Sequence, residues 1–478
     1  MACYQTPTKP ASPGVWSLKQ LLQQFAENGE LPLSGVLSEA LILELLAKHK
    51  IGLLQRICGI WSPTLVLWAF LTQVISPDKS CLAAVIRVAG LMVANGLPPC
   101  SDNTGAYCKA RHKLPPGFVR DLMVHVALEL ENRAPRKWQW KGRRTFLVDG
   151  TTLTMPDTEA NQQKYPQQRA QQPGLGFPIL RLVVIFSLTT GAAIAIAWAP
   201  YRGKLTGEST LLRNLMGQFQ PGDILIGDSI YGSYWMFVLA RKRKLHLLFR
   251  QHHLRVTDFR SGKRFGKGDH LVEWTQTPRP EWMSKEEYKA MREELKTDPL
   301  LVRELSVAIT TPGFRTKNLI LATTLHDAAE FTKDDLALLY RQRWNVELDI
   351  RNLKTTMGMD HLRCKTPEMV EKEILAPFLA YNLIRKVMCQ AAYETSSGPR
   401  GLSFNAARQG LVENRAFLAI FEGELYTRFC RLIVWISSRH KAGHRPDRVE
   451  PREKKRRPNL YDQLKKPRQE AQLELLSA

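Results

Sequence analysis

The sequence predicts a mixed α/β core flanked by helical regions, and three observations carry this prediction. The spacing of apolar residues changes from helical to strand-like near Arg144. Strand-like and helical segments then alternate as far as Arg250, as in a sheet that has helices on its faces. Residues 251–316 are polar and rich in Lys, Arg, Glu and Pro, with strands predicted near 271–275 and 304–309, and we interpret them as an insertion.

The composition is that of a globular protein that meets a polyanion. The chain has 478 residues, 44% of them hydrophobic, which is enough for about two to four domains. Its 68 Lys and Arg against 45 Asp and Glu give a net charge of +23. So basic a chain is expected to meet nucleic acid or an anionic membrane.

Two further features favour nucleic acid over a membrane. Residues 1–20 contain no apolar run of the signal-peptide type, and the longest apolar stretch, 182–199, is broken by a Thr-Thr-Gly turn signal. The eight cysteines include no Cys-x-x-Cys pair, so they predict neither a zinc site nor a disulfide framework. We therefore expect no membrane partner and a reducing cytoplasm.

The periodicity divides the chain into four regions. Residues 1–140 and 391–438 are predicted helical, 141–390 form the core, and 439–478 form a basic, flexible tail. The N-terminal helices can present one helix to a DNA groove or serve only for packing, and periodicity leaves both readings open. These helices are predicted at residues 17–28, 36–50, 63–75, 81–94 and 117–131.

Two predicted strands of the core, at residues 145–150 and 223–228, end near an aspartate, Asp149 in the first and Asp228 in the second. One long helix is predicted over residues 332–357. The other predicted core elements are a hairpin at 179–198, helices at 208–218 and 234–241, and strands at 245–250 and 318–324. Beyond the long helix, further helices are predicted at 369–392, 404–410 and 413–437.

The long predicted helix carries four polar side chains on one stripe. Tyr340, Arg343, Glu347 and Lys354 are offset by 3, 7 and 14 residues from the tyrosine. At about 100° per residue, they fall within roughly 60° of one another. A carboxylate among cations suits a metal ion that meets a phosphate backbone.

Three carboxylates from separate elements can form a metal site. Asp149 and Asp228 each end a strand, and Glu347 comes from a helix expected to pack on the same sheet. Such a trio can hold two Mg²⁺ ions about 3.5–4 Å apart, with Mn²⁺ as a substitute, because hard oxygen ligands disfavour zinc. One ion would activate a water or a DNA 3′-hydroxyl, and the other would stabilise the leaving oxygen.

The remaining residues of the stripe suit DNA binding. Arg343 and Lys354 would grip phosphates, and Tyr340 would donate to a phosphate oxygen or stack on a base. Each residue also has a plain structural explanation, since Asp149 precedes a turn-forming glycine and Glu347 can pair with Arg343 on a solvated helix. Their joint occurrence on these elements favours a site.

At this point the chain resembles the DDE (Asp-Asp-Glu) transposases of the insertion-sequence-four family. Their bacterial cut-and-paste enzymes carry a Tyr-x2-Arg-x3-Glu-x6-Lys signature, which residues 340–354 match without a gap. Asp149-Gly-Thr resembles the first acidic motif of the family, and Asp228, with Tyr231 three residues on, resembles the second. The resemblance spans roughly residues 145–390.

The resemblance implies an RNase H-like catalytic core with a mostly β insertion before the last catalytic helix. It implies an N-terminal domain that recognises transposon ends and a C-terminal region that pairs protomers in a homodimer. The implied partner is double-stranded DNA, as terminal inverted repeats and as target. The implied reaction nicks the ends, forms and reopens a hairpin, and joins the 3′-hydroxyls to the target.

One position departs from the family pattern. Some relatives have a tryptophan at the close of the insertion, where it stacks on a flipped base during hairpin formation, but Lys317 and Asn318 occupy that position here. Trp274 and Trp282 lie earlier in the insertion and can substitute for it or belong to the core of the insertion. Hairpin chemistry is therefore less firmly indicated than strand cleavage.

Two other functions compete with an active transposase. A catalytically silent DNA-binding regulator derived from a transposase would not need the acidic trio. Another RNase H-like nuclease would cleave without joining strands. Mg²⁺-dependent nicking separates the first alternative from a transposase, and strand joining separates the second.

Overall fold

The structure is a computed structural model, and it describes residues 39–51, 60–94, 96–308, 318–420, 423–443 and 466–477. The chain divides into two compact units. One contains the described residues of 1–130 and 374–442, and the other contains those of 131–373 and 443–478. In the described ranges, none of the helices combines the length and apolarity that crossing a bilayer requires.

The N-terminal region is helical, as predicted. Its helices are α1 (Glu39–Lys48), α2 (Pro63–Ile75), α3 (Cys81–Ala94), α4 (Thr104–Lys113) and α5 (Pro116–Arg133). The bounds predicted for α2 and α3 are confirmed. At α2, the Ser62 hydroxyl accepts from Leu65 N and proline occupies the first turn, which is a strong start signal. The predicted helix at residues 17–28 lies outside the described residues, and α4 was not predicted.

A nine-stranded sheet with helices forms the core of the second unit. Its order is β3-β2-β1-β4-β5-β9-β8-β7-β6. The strands are β1 (Thr145–Thr154), β2 (Ile179–Ser187), β3 (Ala193–Pro200), β4 (Ile224–Gly227), β5 (His246–Arg250), β6 (Lys263–Gly266), β7 (Asp269–Glu273), β8 (Leu301–Ala308) and β9 (Asn318–Thr323). The helices between them are α6 (Glu159–Lys164), α7 (Glu208–Leu215), α8 (Tyr234–Lys242) and α9 (Lys285–Thr297).

The first five strands confirm the RNase H-like expectation. Strands β1, β2 and β3 form an antiparallel meander, whereas β4 and β5 add in parallel on the other side of β1. Helix α7 connects the meander to β4, and α8 connects β4 to β5. These central strands are almost continuously apolar, because both faces of a sheet covered by helices are buried.

The insertion extends the sheet. β9 pairs antiparallel with β5, and β8, β7 and β6 follow outward from β9. A buried network supports this end: the indole of Trp274 donates to Glu304 at 2.7 Å, and Nε2 of His270 lies 3.0 Å from the other oxygen of Glu304. Beside it, Arg303 pairs with Asp269 at 2.7 Å.

The prediction of one continuous helix over residues 332–357 is wrong. The segment divides into α10 (Lys333–Arg341), α11 (Trp344–Arg351) and a π turn at Asn352–Thr356. Between α10 and α11, the backbone bonds Gln342 N→Leu339 O and Arg343 N→Tyr340 O span three residues, which tightens the coil. The π turn then loosens it, since Met357 N donates to Asn352 O.

Three helices follow, α12 (Pro367–Tyr393), α13 (Phe404–Ile420) and α14 (Gly423–Arg439). The predicted break at residues 411–412 is wrong, because α13 runs through it. The residues after α14 also pair with the folded unit: Ser403 N donates to His440 O at 2.7 Å, and Ala442 N donates to Gly401 O at 2.8 Å. Residues 440–442 are therefore part of the fold. Near the end of the chain lies one further helix, α15 (Arg468–Ser477).

Candidate active site

The parallel register of β1 and β4 places the two candidate aspartates side by side. Leu147 of β1 is paired with Ile226 of β4. Asp149 and Asp228 each follow two residues later on these neighbouring strands, which lie about 4.8 Å apart in a sheet. The prediction that Asp149 ends its strand is wrong, because β1 continues to Thr154 in its ladder with β2. It is β4 that ends here.

Asp149 is a crowded carboxyl group. Its Oδ1 accepts a hydrogen bond from Gly150 N at 2.8 Å. Burial raises its pKa to about 6, and the negative charges of Glu208 and Glu347 add to the rise, against the lowering effects of the Gly150 bond and Arg343. The carboxyl thus lies where additional positive charge would stabilise its ionised form.

Asp228 begins a turn of 3₁₀ helix, Ser229–Tyr231. Its Oδ1 accepts from Ser229 N at 2.6 Å, which orients the carboxylate at the end of β4. The preceding residue has to be glycine, because a Cβ on Gly227 would lie 2.8 Å from Cγ1 of Val148. The Gly-Asp pair of the second acidic motif therefore follows from close packing of β4 on β1.

Glu347 lies in the first turn of α11, and its carboxylate is bound by an arginine. The Arg343 guanidinium donates to its Oε1 at 3.0 Å. Tyr340, Glu347 and Asp228 raise the pKa of this guanidinium against the lowering effect of its burial, and Arg343 also lowers the pKa of Asp149. Arg343 is therefore the cation that all three candidate carboxylates share.

Tyr340 lies at the end of α10 and is only 8% exposed. Burial raises the pKa of its hydroxyl, with Asp228 contributing, so the phenol keeps its proton. So little of the ring is accessible that stacking on a base is not available in this arrangement. Donation by the hydroxyl is the part of the prediction that the position allows.

Lys354 lies in the π turn and reaches the strand that carries Asp149. Its ammonium donates to Thr151 Oγ1 at 3.3 Å and to Thr152 O at 3.2 Å, and it lies 3.4 Å from Asp360. Despite the break in the helix, Lys354 therefore still reaches β1, two and three residues beyond Asp149. The ammonium has side-chain, main-chain and carboxylate partners in this position.

The acids adjoin one another without forming a closed ligand set. In the ranges that the structure describes, no three His, Cys, Asp or Glu side chains converge closely enough to hold a metal ion as they stand. The donors themselves are carboxylate oxygens, which suit Mg²⁺ or Mn²⁺. The electrostatic coupling of Asp149 to Glu347 and Glu208 marks the place where a divalent cation fits the charge.

Sequence reasoning missed two residues beside the acids. Glu208 begins α7, and the Tyr231 hydroxyl donates to its Oε2 at 3.2 Å. Burial, Glu208 and Asp149 together raise the pKa of Tyr231, so this hydroxyl remains a donor. Tyr231 was noted only as part of the second motif. No sequence spacing indicates Glu208, because the residues that it contacts in the fold are distant from it in the sequence.

The two tryptophans considered for base stacking differ in position. Trp274 is 3% exposed and packs against Phe237 of α8 and Arg255 of the insertion, which supports its role in the core. Trp282 is half-buried, with the Arg213 guanidinium 4.2 Å above its ring. Lys317 lies outside the described residues.

Comparison with known proteins identifies the domain in which these residues lie. The family model of the transposase DDE domain matches residues 140–383, just over half of the chain and the part that holds all the candidate site residues. The transposase InsG for insertion sequence element IS4 of Escherichia coli K12 is 27% identical over 345 residues. That alignment covers 68% of this chain and 70% of the relative.

Of two further similarities, one covers a short segment and the other has a low TM-score and a low sequence identity. The putative transposase InsL for IS186A of E. coli K12 is 35% identical over 71 residues, which are 15% of this chain and 19% of the relative. A cryo-EM structure of the piggyBac transposase synaptic complex with hairpin DNA has a TM-score of 0.39 and 10% identity, over 91% of this chain and 88% of the other. By the family model and the IS4 relative, the chain belongs to the DDE transposases, and among them to the IS4 type.

Proposed function

We propose that this chain is a Mg²⁺-dependent DNA transposase that excises an insertion sequence and joins it to target DNA in the bacterial cytoplasm. Asp149, Asp228 and Glu347 are the catalytic carboxylates of this proposal. Arg343, Lys354 and the Tyr340 hydroxyl bind the DNA around the scissile phosphate. The observation that carries the proposal is the strand register that sets Asp149 beside Asp228, with Glu347 coupled to Asp149 by charge.

The three carboxylates would hold two Mg²⁺ ions. Glu347 would exchange its bond from Arg343 for a bond to the metal, while the two aspartates keep their orientation through Gly150 N and Ser229 N. When bound, the ions would supply an activated water or 3′-hydroxyl and stabilise the leaving oxygen of an in-line displacement. Release from Glu347 would free the Arg343 guanidinium to meet a phosphate oxygen.

The intermediate and the assembly follow from the family. We propose a hairpin on the transposon end as the intermediate and a homodimer that holds two ends. Of the two tryptophans considered for base stacking, Trp282 is the more accessible, because Trp274 is buried.

The proposal is tested by cleavage and strand joining on DNA that carries the inverted repeats flanking the gene. We expect the wild-type protein with Mg²⁺ to release the element and to join pre-cleaved ends. Glu347→Ala should bind the ends but neither cut nor join them. Cleavage without joining by the wild type would indicate a nuclease instead. Binding without either reaction by the wild type would indicate the silent regulator.

A further inference from the structure

Glu208 connects two parts of the sheet that are remote in sequence. Its Oε2 accepts from the Tyr231 hydroxyl at 3.2 Å, and its Oε1 lies 3.8 Å from Nε of Arg181 on β2. Tyr231 ends the turn that Asp228 begins. Ser209, the residue after Glu208, donates from its Oγ to Ile230 O in the Asp228 turn at 2.8 Å. The start of α7 is thus bound to the Asp228 turn at two points.

The Glu208 carboxylate also packs against the strand that carries Asp149. A Cβ on Gly150 would lie 2.3 Å from Cδ of Glu208 and 2.4 Å from its Oε2, far inside any real contact. Gly150 pairs with Val183 in the regular β1–β2 ladder, so its backbone does not itself require glycine. A methyl group at this position would instead have to displace the carboxylate of Glu208.

We propose that Glu208 is a positioning residue that sets the spacing of Asp149 and Asp228 for metal binding. It contacts the residue after Asp149 on one side and the last residue of the Asp228 turn on the other. The inference rests on the proposed function, since it takes both aspartates as metal ligands. Loss of an outer partner that orients a metal ligand typically lowers metal affinity by about 10–100-fold.

The test measures the dissociation constant for Mn²⁺ on the full chain without DNA, by electron paramagnetic resonance of the free ion. Tyr231→Phe removes one hydroxyl and no charge, and it should weaken Mn²⁺ binding about tenfold. Glu208→Ala should weaken it at least as much. Glu208→Gln should bind within about threefold of the wild type, because its amide oxygen still accepts from Tyr231. Glu159→Ala, at the first residue of α6 and exposed, is the matched control and should bind like the wild type.

Gly150→Ala gives a second, steric test that deletes no polar group. The added methyl should push the Glu208 carboxylate aside and weaken Mn²⁺ binding about tenfold. In the Glu208→Ala background the same methyl has space, so Gly150→Ala should cause no further loss. Independent losses from the two substitutions would overturn the proposed contact. Equal weakening by Glu208→Gln and Glu208→Ala, with Tyr231→Phe unchanged, would overturn the positioning role.

Failure of this inference is distinguishable from failure of the proposed function. Asp149→Asn in the same assay removes a proposed ligand and should abolish the tight Mn²⁺ site. If Asp149→Asn binds Mn²⁺ like the wild type, the metal site itself has been misassigned. If Asp149→Asn loses Mn²⁺ while Tyr231→Phe and Gly150→Ala keep it, only the positioning role of Glu208 fails.

Discussion

Arg343 compensates negative charge at the candidate site in the protein without a bound metal ion. Its guanidinium bonds Glu347 and stabilises the negative charge of both aspartates. A guanidinium stays ionised at any working pH, so this compensation does not depend on conditions. Binding of a divalent cation would then displace a bond that is already ionic. In that case one cation would replace another beside carboxylates whose charge the protein already compensates.

Asp149 should make the metal-free protein less stable at neutral pH than at acidic pH. Its folded pKa of about 6 lies above its ordinary value of 3.8, so the folded state holds this proton more tightly than the unfolded state. The stabilising contribution is full below pH 3.8 and is lost as the pH rises through 6. Two pKa units correspond to at most about 3 kcal/mol.

Asp149→Asn removes this penalty and keeps the acceptor for Gly150 N. In the metal-free protein at pH 7.5, the substitution should raise the free energy of unfolding by about 1–3 kcal/mol. The gain should shrink as the pH falls towards 5, as measured by urea denaturation. Mg²⁺ should stabilise the wild type and not the variant. A gain that is the same at pH 5 and pH 7.5 would contradict the role of the buried charge.

Lys354→Ala should weaken the binding of pre-cleaved transposon ends and reduce the salt dependence of binding. One phosphate contact contributes roughly one unit to the slope of log K against log salt. The matched control is Lys296→Ala, whose exposed ammonium pairs with Glu293 on α9. Fluorescence anisotropy between 50 and 200 mM salt is a suitable measurement. If both variants keep the wild-type slope, Lys354 has a structural role through Thr151 and Thr152 instead.

Among the elements, the outer part of the sheet depends on a buried polar network. Nδ1 of His270 lies 2.8 Å from Ser261 O and its Nε2 lies 3.0 Å from Glu304. Ser261 O is a carbonyl that can only accept, so Nδ1 donates to it, and Glu304 also accepts the indole N–H of Trp274. The network is satisfied as a unit, and removing one member leaves buried donors without acceptors.

Glu304→Ala should therefore destabilise the outer strands by about 3 kcal/mol or more. The measurement is amide hydrogen exchange of β7 and β8, beside a thermal melt. Glu293→Ala, an exposed residue in a surface ion pair, should change stability by less than about 1 kcal/mol. Unchanged protection of β7 and β8 in Glu304→Ala would show that strand pairing alone stabilises this end of the sheet.

Sequence patterns predicted elements well where local signals decide them. The start of α2 follows from a serine cap and a proline, and the hairpin of β2 and β3 turns at Gly191, which has a φ of 76°. The end of β1 was misplaced because Gly150 reads as a turn, whereas nine paired residues of the β1–β2 ladder keep it in the strand. Pairing between distant segments overrode the local signal.

The prediction of one long helix over residues 332–357 failed for a related reason. A change from four-residue to three-residue or five-residue bonds leaves the pattern of apolar residues nearly intact, so periodicity cannot detect it. Buried Val346 and Leu353 keep their place on the apolar side through these changes. Arg343 consequently still bonds Glu347 and Lys354 still reaches β1, although the four signature residues lie on α10, the turn after it, α11 and the π turn. Glu208 could not be predicted, because its contacts come from tertiary structure alone.

For the whole molecule, the basic tail begins later than the sequence suggested. Residues 439–468 contain twelve Lys or Arg against four Asp or Glu. The pairing of residues 440–442 with the folded unit shows that they belong to the fold, and Arg468 at the start of α15, 3.4 Å from Asp157, belongs to it as well. A cut at residue 439 would remove the main-chain partners of Ser403 and Gly401 and mix a folding defect with a binding defect.

Replacing the four basic residues 454–457 with alanine should lower affinity for DNA of arbitrary sequence more than affinity for the terminal repeats. The run adds positive charge, and charge that meets only the phosphate backbone contributes mainly to non-specific binding. Parallel titrations with repeat and random duplexes at one salt concentration measure both. A variant that loses both affinities equally would place this basic run in the end-recognition or pairing surface.

The central claim is that Asp149, Asp228 and Glu347 bind the catalytic metal ions, and replacing each with cysteine tests it most directly. A thiolate binds Mg²⁺ poorly, whereas softer Mn²⁺ accepts it more readily. We expect each cysteine variant to be inactive in cleavage with Mg²⁺ and to recover activity with Mn²⁺, while the alanine variants stay inactive with both. Cysteine variants that cleave equally well with either metal would contradict the claim.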